Sequence, residues 1–131
     1  MYWFFNNVSL AESKKRDHIF SMLPMALSSI PFHNNTGSIT RYCAADFPMQ
    51  LAVHEISPVK TAPKEYSLPH LHKDHDEINI IISGQKLVYK LQLEEEEYTV
   101  YNNSSIWIPR GKLHAANVLE GSGYFISLRI N

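Results

Sequence analysis

The sequence predicts an all-β protein, an antiparallel sandwich or barrel carrying a short N-terminal helix and extension. Two observations lead there. From Gln50 onward apolar residues recur with period two in short runs, and Ser-Gly, Asn-Asn, Pro-Arg-Gly or Gly-Ser-Gly punctuates most junctions. No helix-length pattern intervenes among these runs, which excludes a parallel α/β sheet with its crossover helices. A chain of 131 residues makes one ordinary domain.

The N-terminal zone, 1–49, has a different texture. Ser9-Leu10-Ala11-Glu12 is a capping-box pattern, in which Ser9 accepts from the Glu12 amide and Glu12 reaches back to the Ser9 amide. Ile19, Phe20 and Leu23 follow at 3–4 spacing, which predicts a short amphipathic helix within 13–23, ending before Pro24. Pro31, Asn34-Asn35-Thr36-Gly37 and Pro48 read as turns between short strands. This zone is expected to pack on the barrel or on a dimer partner. The barrel itself is expected over 50–131, with strands at 50–57, 77–83, 85–93, 97–101, 105–108, 113–119 and 124–130. The acidic run 94–97 reads as a solvated hairpin tip.

Charge and cysteine content exclude several functions. Twelve Lys plus Arg stand against thirteen Asp plus Glu, a net charge of −1, so the basic field that nucleic acid or an acidic membrane requires is missing. Cys43 is the single cysteine, which rules out an internal disulfide and a multi-cysteine zinc site. No apolar run reaches the ~18 residues of a membrane span; the longest candidate, 22–30, is broken by Pro24, Ser28 and Ser29. Met1-Tyr2-Trp3-Phe4-Phe5 has no basic region and no small-residue cleavage site. The expectation is a soluble, cytoplasmic protein.

Alternation along 77–83 puts Glu77, Asn79, Ile81 and Ser83 on one face and Ile78, Ile80 and Ile82 on the other. The all-isoleucine face needs a cover, either the N-terminal zone or a second copy in a two-fold homodimer. The same logic turns Leu87, Tyr89, Leu91 and Leu93 inward, adds Ala116 and Val118 to the face of His114, and separates Phe125, Ser127 and Arg129 from Tyr124, Ile126, Leu128 and Ile130. The apolar set of that last strand is expected to be buried, leaving Arg129 exposed or at an interface. Tyr98, Tyr101 and Trp107 are candidate pocket walls or core residues.

Histidine carries the chemical signal. His70-Leu71-His72-Lys73-Asp74-His75-Asp76-Glu77 places His70 and His72 on one face of an extended segment, with Glu77 opening the next strand. Two imidazoles and one carboxylate converging on a point suit a first-row divalent metal, with iron, nickel, manganese and zinc all open. Pro109-Arg110-Gly111-Lys112-Leu113-His114 then delivers another histidine from a Pro/Gly turn. The spacing His70-x-His72, four residues, Glu77, six residues, Gly84 resembles the first signature of the cupin superfamily. Pro109-x-Gly111, two residues, His114, three residues, Asn117 resembles its second. The chain departs from the pattern at Lys64 and Asn103, where those signatures usually carry glycine; Asn tolerates the left-handed backbone such a turn requires.

The resemblance covers about residues 50–130 and implies a jelly-roll, a double-stranded antiparallel β-helix, with one divalent transition metal held by His70, His72, Glu77 and His114. No organic cofactor is implied. His75 shares the parity of Glu77, but its polar turn argues for solvent. Asn117 is expected to hold a turn or sheet edge near His114, and Arg110 to lie at the rim, either solvated or binding an anionic substrate. Two readings follow from the resemblance. One is a metal-dependent enzyme of dioxygenase, isomerase or lyase type acting on a small organic molecule. The other is a non-catalytic cupin that captures or senses a small molecule, and fold alone does not choose between them.

Overall fold

Strict alternation from Leu51 onward builds a β-structure closed around its inward-facing side chains. The computed structural model describes residues 17–130. Its strands are β1 (Leu23–Met25), β2 (Ile39–Cys43), β3 (Leu51–Val59), β4 (Asp76–Ile82), β5 (Leu87–Leu93), β6 (Glu96–Tyr101), β7 (Ser104–Ile108) and β8 (His114–Ile130). A single 3-10 turn, Leu27–Ser29, follows β1. All described pairings are antiparallel, in the order β1-β2-β3-β8-β4-β7, with β5 joining β8 and β6 joining β5. This is the double-layered jelly-roll the sequence predicts.

Strand β8 serves both layers. Its first half, from His114 to Gly121, pairs with β5, and its second half pairs with β3 and β4. The sequence reads Gly-Ser-Gly at 121–123 as a turn between two strands; instead it is the bend of one 17-residue strand. Gly121 and Gly123 have φ of +100° and +146°, and the register against β5 slips at Val88/Tyr89. Glycine bends of this kind let a strand pass from one layer to the other without losing its ladder. Where the layers face each other, Tyr89 of β5 stacks on Phe125 of β8 with ring centroids 4.7 Å apart. Ile56, Ile81, Leu87 and Val118 complete the buried apolar core beside them.

The expected N-terminal helix is corrected. Its capping box lies outside the described residues, as do 13–16. Of the remainder, Asp17 and His18 alone are helical, and Leu23 already begins β1, which includes Pro24. Proline is compatible with an edge strand, where its missing N–H leaves no ladder bond unmade, and β1 sits at the sheet's edge. Both β1 and β2 extend the sheet sideways from β3 instead of covering the isoleucine face of β4.

Asn117 pins an irregular segment to β8. Its Oδ1 accepts from the backbone amides of Tyr66 and Ser67, each at 2.9 Å, and its Nδ2 donates to the Ser67 carbonyl at 3.0 Å. The Tyr66 hydroxyl accepts from the Val118 amide at 3.1 Å. These bonds carry the chain toward His70, which is itself joined to His114 by a pair of backbone hydrogen bonds of 3.0 and 2.8 Å. Asn117→Ala should therefore cost about 2–4 kcal/mol in urea unfolding, because two buried amides lose their acceptor. Unchanged stability would overturn that account.

Candidate metal centre

The register of β4 and β8 fixes which side chains look inward. Glu77 pairs with Arg129, Asn79 with Ser127 and Ile81 with Phe125, so each pair shares a face. That face is the interior: Glu77, Asn79 and Ile81 are buried, as is Phe125. Ser127 and Arg129 line the same cavity of about 890 Å³. The expectation for the last strand is thus reversed, with Tyr124 44% and Ile130 41% exposed on the outside. The apolar-inside rule fails here because the barrel interior holds a polar site. Tyr98, Tyr101 and Trp107 also stand outside, Trp107 being 64% exposed.

Three histidines converge at the cavity. One ring nitrogen from each of His70, His72 and His114 lies within 4.8 Å of the others. His70 Nδ1 donates to the Leu68 carbonyl at 2.7 Å and His114 Nδ1 to the Lys112 carbonyl at 2.9 Å. Because a carbonyl only accepts, these bonds place the proton on Nδ1 and turn a basic Nε2 toward the centre, as backbone carbonyls commonly do behind metal ligands. Glu77 stands beside two of them. Its Oε1 is 3.1 Å from His72 Nε2 and 3.5 Å from His114 Nε2, while its Oε2 accepts from Asn79 Nδ2 at 2.8 Å.

Neither His72 Nε2 nor His114 Nε2 makes a hydrogen bond, although both are buried. Buried polar nitrogens without partners cost free energy, so this pair calls for something to occupy the space between them. A divalent cation meets that need, and the donor set of imidazole and carboxylate suits it. Burial raises the Glu77 carboxyl, but contacts from His114, His72 and Asn79 outweigh it and hold the group well below the usual carboxylate range. Burial also pushes His70 down to about 4, against the opposing Leu68 bond, keeping its ring neutral at physiological pH. Burial lowers His114 as well, but its Glu77 and Lys112 contacts outweigh this and raise the group, so a proton competes with a metal ion for its Nε2.

His75 lies at the cavity wall with its ring 6.3 Å from that of His72, and it is not one of the three that converge. Arg110 is tied to Asp76, its backbone amide at 2.9 Å and its Nε at 3.3 Å from Oδ1, which closes the turn before His114. Asn103 adopts φ +65°, the left-handed turn that a glycine would otherwise supply.

Three cavity residues escape the histidine motifs. His33 lies 5.6 Å ring to ring from His70, and Arg41 of β2 donates from Nη1 to His54 Nε2 of β3 at 2.9 Å. A signal for His54 exists in the strand parity, which sets it between Ala52 and Ile56 on the inward face with Glu55 outside. His54 is buried, and desolvation, followed by Arg41 and His33, drives it down to about 3. The unfolded chain therefore binds a proton that the native His54 refuses, so stability is full above about pH 6.5 and is lost as pH falls toward 3. Chemical unfolding of the metal-free protein across that window should show the loss, and His54→Gln should make it shallower, leaving the part that His70 and Glu77 contribute. Equal slopes in the two proteins would remove His54 as the cause.

The fold has counterparts among solved structures. KdgF from Halomonas sp. superposes with a TM-score of 0.55 at 20% identity, over 78% of this chain and 88% of that one. An RmlC-like cupin from Shewanella frigidimarina gives 0.53 at 12%, over 85% and 83%. Fe(II) HppE gives 0.59 at 10%, over 84% of this chain and 57% of that one. No family model and no curated protein sequence matches the chain. At these identities the likeness carries the architecture: the fold is that of the cupins.

Proposed function

We propose that the chain is a mononuclear metal-binding cupin in which His70, His72, Glu77 and His114 hold one divalent transition metal, and that it is an enzyme acting on a small organic molecule. The observation that carries this reading is the pair of buried, unpartnered Nε2 atoms of His72 and His114 facing Glu77. Iron is the first candidate to test, since the structural neighbour HppE contains Fe(II); nickel, manganese and zinc are accepted by the same donor types. A bound metal would supply Lewis acidity toward a substrate oxygen or, as iron, a site for dioxygen. The chain's own residues do the rest. Asn79 orients Glu77, the Leu68 and Lys112 carbonyls fix the tautomers of His70 and His114, and the buried inner face limits water around the donors.

Elemental analysis of tag-free protein, followed by oxygen uptake after iron is restored, tests the reading. About one metal per chain with uptake in the presence of small organic acids marks an oxygenase. A different metal without uptake marks an isomerase, a lyase or the capturing and sensing alternative, and turnover of a bound compound separates the catalytic from the non-catalytic. Protein that takes up none of these metals would overturn the proposal. Among the described residues no helix is long and apolar enough to cross a membrane; cytoplasmic residence is proposed with the enzyme reading.

The outer face of the β4–β8 layer supports a homodimer. Ile78 lies opposite Trp107 and Leu128, Ile80 opposite Ile126 and Ser105, and Ile82 opposite Tyr124, giving a mostly apolar surface on which Ile82 remains 43% exposed. Light scattering should return twice the chain mass, and Ile80→Lys should return the monomer. A monomeric wild type would sink the dimer.

A further inference from the structure

The cavity contains a second polar group that the metal centre does not use. Rows of paired residues cross its wall: Arg41 of β2 beside His54 of β3, and His54 beside Phe125 of β8. Because a guanidinium only donates, the 2.9 Å contact from Arg41 Nη1 makes His54 Nε2 the acceptor and leaves the proton of the neutral ring on Nδ1. That Nδ1–H is buried without a partner, and so is Arg41 Nε–H. His54 itself is only 4% exposed. Two unmet donors and a fixed positive charge therefore share one wall of the cavity.

The adjoining row is small. Cys43 pairs with Ala52 and Ala52 with Ser127, so space opens between the Arg41–His54 pair and the histidine cluster. His33 lines that interval next to His70. The other cavity arginine is already engaged, Arg129 donating from Nη1 to Gln50 Oε1 and standing 3.9 Å from Glu77. Arg41 is the cation left to meet a ligand, and the lone carboxylate beside the histidines is turned to them instead.

We propose that Arg41 and His54 form an oxyanion subsite, and that the molecule acted on at the metal centre is a small organic acid whose carboxylate or phosphoryl group is received there. This names the substrate class and rests on the reading of the histidine cluster as a metal centre. An oxyanion supplies the acceptors that these buried donors lack, and its charge offsets the guanidinium. The rest of the molecule then lies toward His70, His72 and His114. A cavity of about 890 Å³ leaves ample room for such a compound.

Calorimetric titration of the full chain, metal-free and zinc-loaded, with succinate, inorganic phosphate and the neutral succinamide tests the subsite. An anion should bind and succinamide should not; tighter succinate assigns a carboxylate, tighter phosphate a phosphoryl group. Arg41→Gln retains an amide donor for His54 Nε2 and should weaken the anion by roughly tenfold to a hundredfold, whereas Lys86→Gln, at a surface pair with Glu120, should change nothing. If Arg41→Gln fails to fold, Arg41→Lys should still weaken binding, because it lacks the fork. Binding to metal-free His72→Ala that disappears with Arg41→Gln keeps the subsite even if the metal centre fails. An anion that needs zinc and ignores Arg41→Gln is a direct metal ligand and overturns the subsite while leaving the centre intact. Absence of binding by either anion to folded, zinc-loaded protein also overturns it.

Discussion

His72→Ala protein is expected to emerge from purification nearly free of metal, while His75→Ala retains the wild-type content. The difference follows from where the two rings stand. His72 Nε2 is buried 3.1 Å from Glu77 Oε1 without a hydrogen bond, and its ring is 5.0 Å from that of His70 and 5.2 Å from that of His114. The His75 ring lies 6.3 Å from that of His72 and is not among the three whose nitrogens converge. Loss of an outer partner of a metal ligand costs about 10–100-fold in affinity, so loss of the ligand itself should exceed that range. Alanine at 72 should leave the barrel folded, because folding depends on apolar burial around Ile81, Leu87 and Val118, which His72 does not join. Plasma emission spectroscopy and circular dichroism on the same preparations check both halves. Equal metal loss in the two variants would make His75 a ligand and displace the present assignment.

Gly121→Ala is expected to prevent folding or to destabilise the protein by more than about 3 kcal/mol. A β-carbon at 121 would sit 1.9 Å from the Lys86 carbonyl oxygen and 2.9 Å from the Leu87 Cα, and these are backbone atoms with no rotamer to change. The φ of +100° adds strain to the collision. The damage should reach the site, because β8 carries His114 before the bend and Ser127 and Arg129 after it. By contrast Gly37→Ala, with nothing within 4 Å of the added carbon, should be nearly silent. Thermal unfolding of both variants distinguishes the cases, and a Gly121→Ala protein with the wild-type midpoint would refute the bend as a structural requirement.

Much of the barrel is legible in period-two alternation, which locates β3 to β7 within a residue or two and turns Glu77 and Asn79 to the same side. The histidine spacings mark His70, His72 and His114 because all three lie in or beside turns that the sequence punctuates with proline. What escapes is what depends on pairing between distant segments. The Gly-Ser-Gly at 121–123 has the local chemistry of a turn, and its role as a bend appears once β5 and β3 are seen to share β8. Arg129 is misplaced by the rule that the apolar face goes inside, since its partner across the ladder is Glu77. Arg41 and His54 are 13 residues apart, and their contact exists because β2 and β3 pair in that register.

The doubled backbone link between His70 and His114 bears on how the protein acquires its ion. Two of the proposed coordinating residues are clamped side by side by main-chain bonds, so their spacing is fixed by the fold itself. The choice among divalent ions at such a site would follow the supply in the surrounding compartment and the affinity order of the divalent series. The cell's metal economy, as much as the polypeptide, would then decide which ion the proposed centre holds.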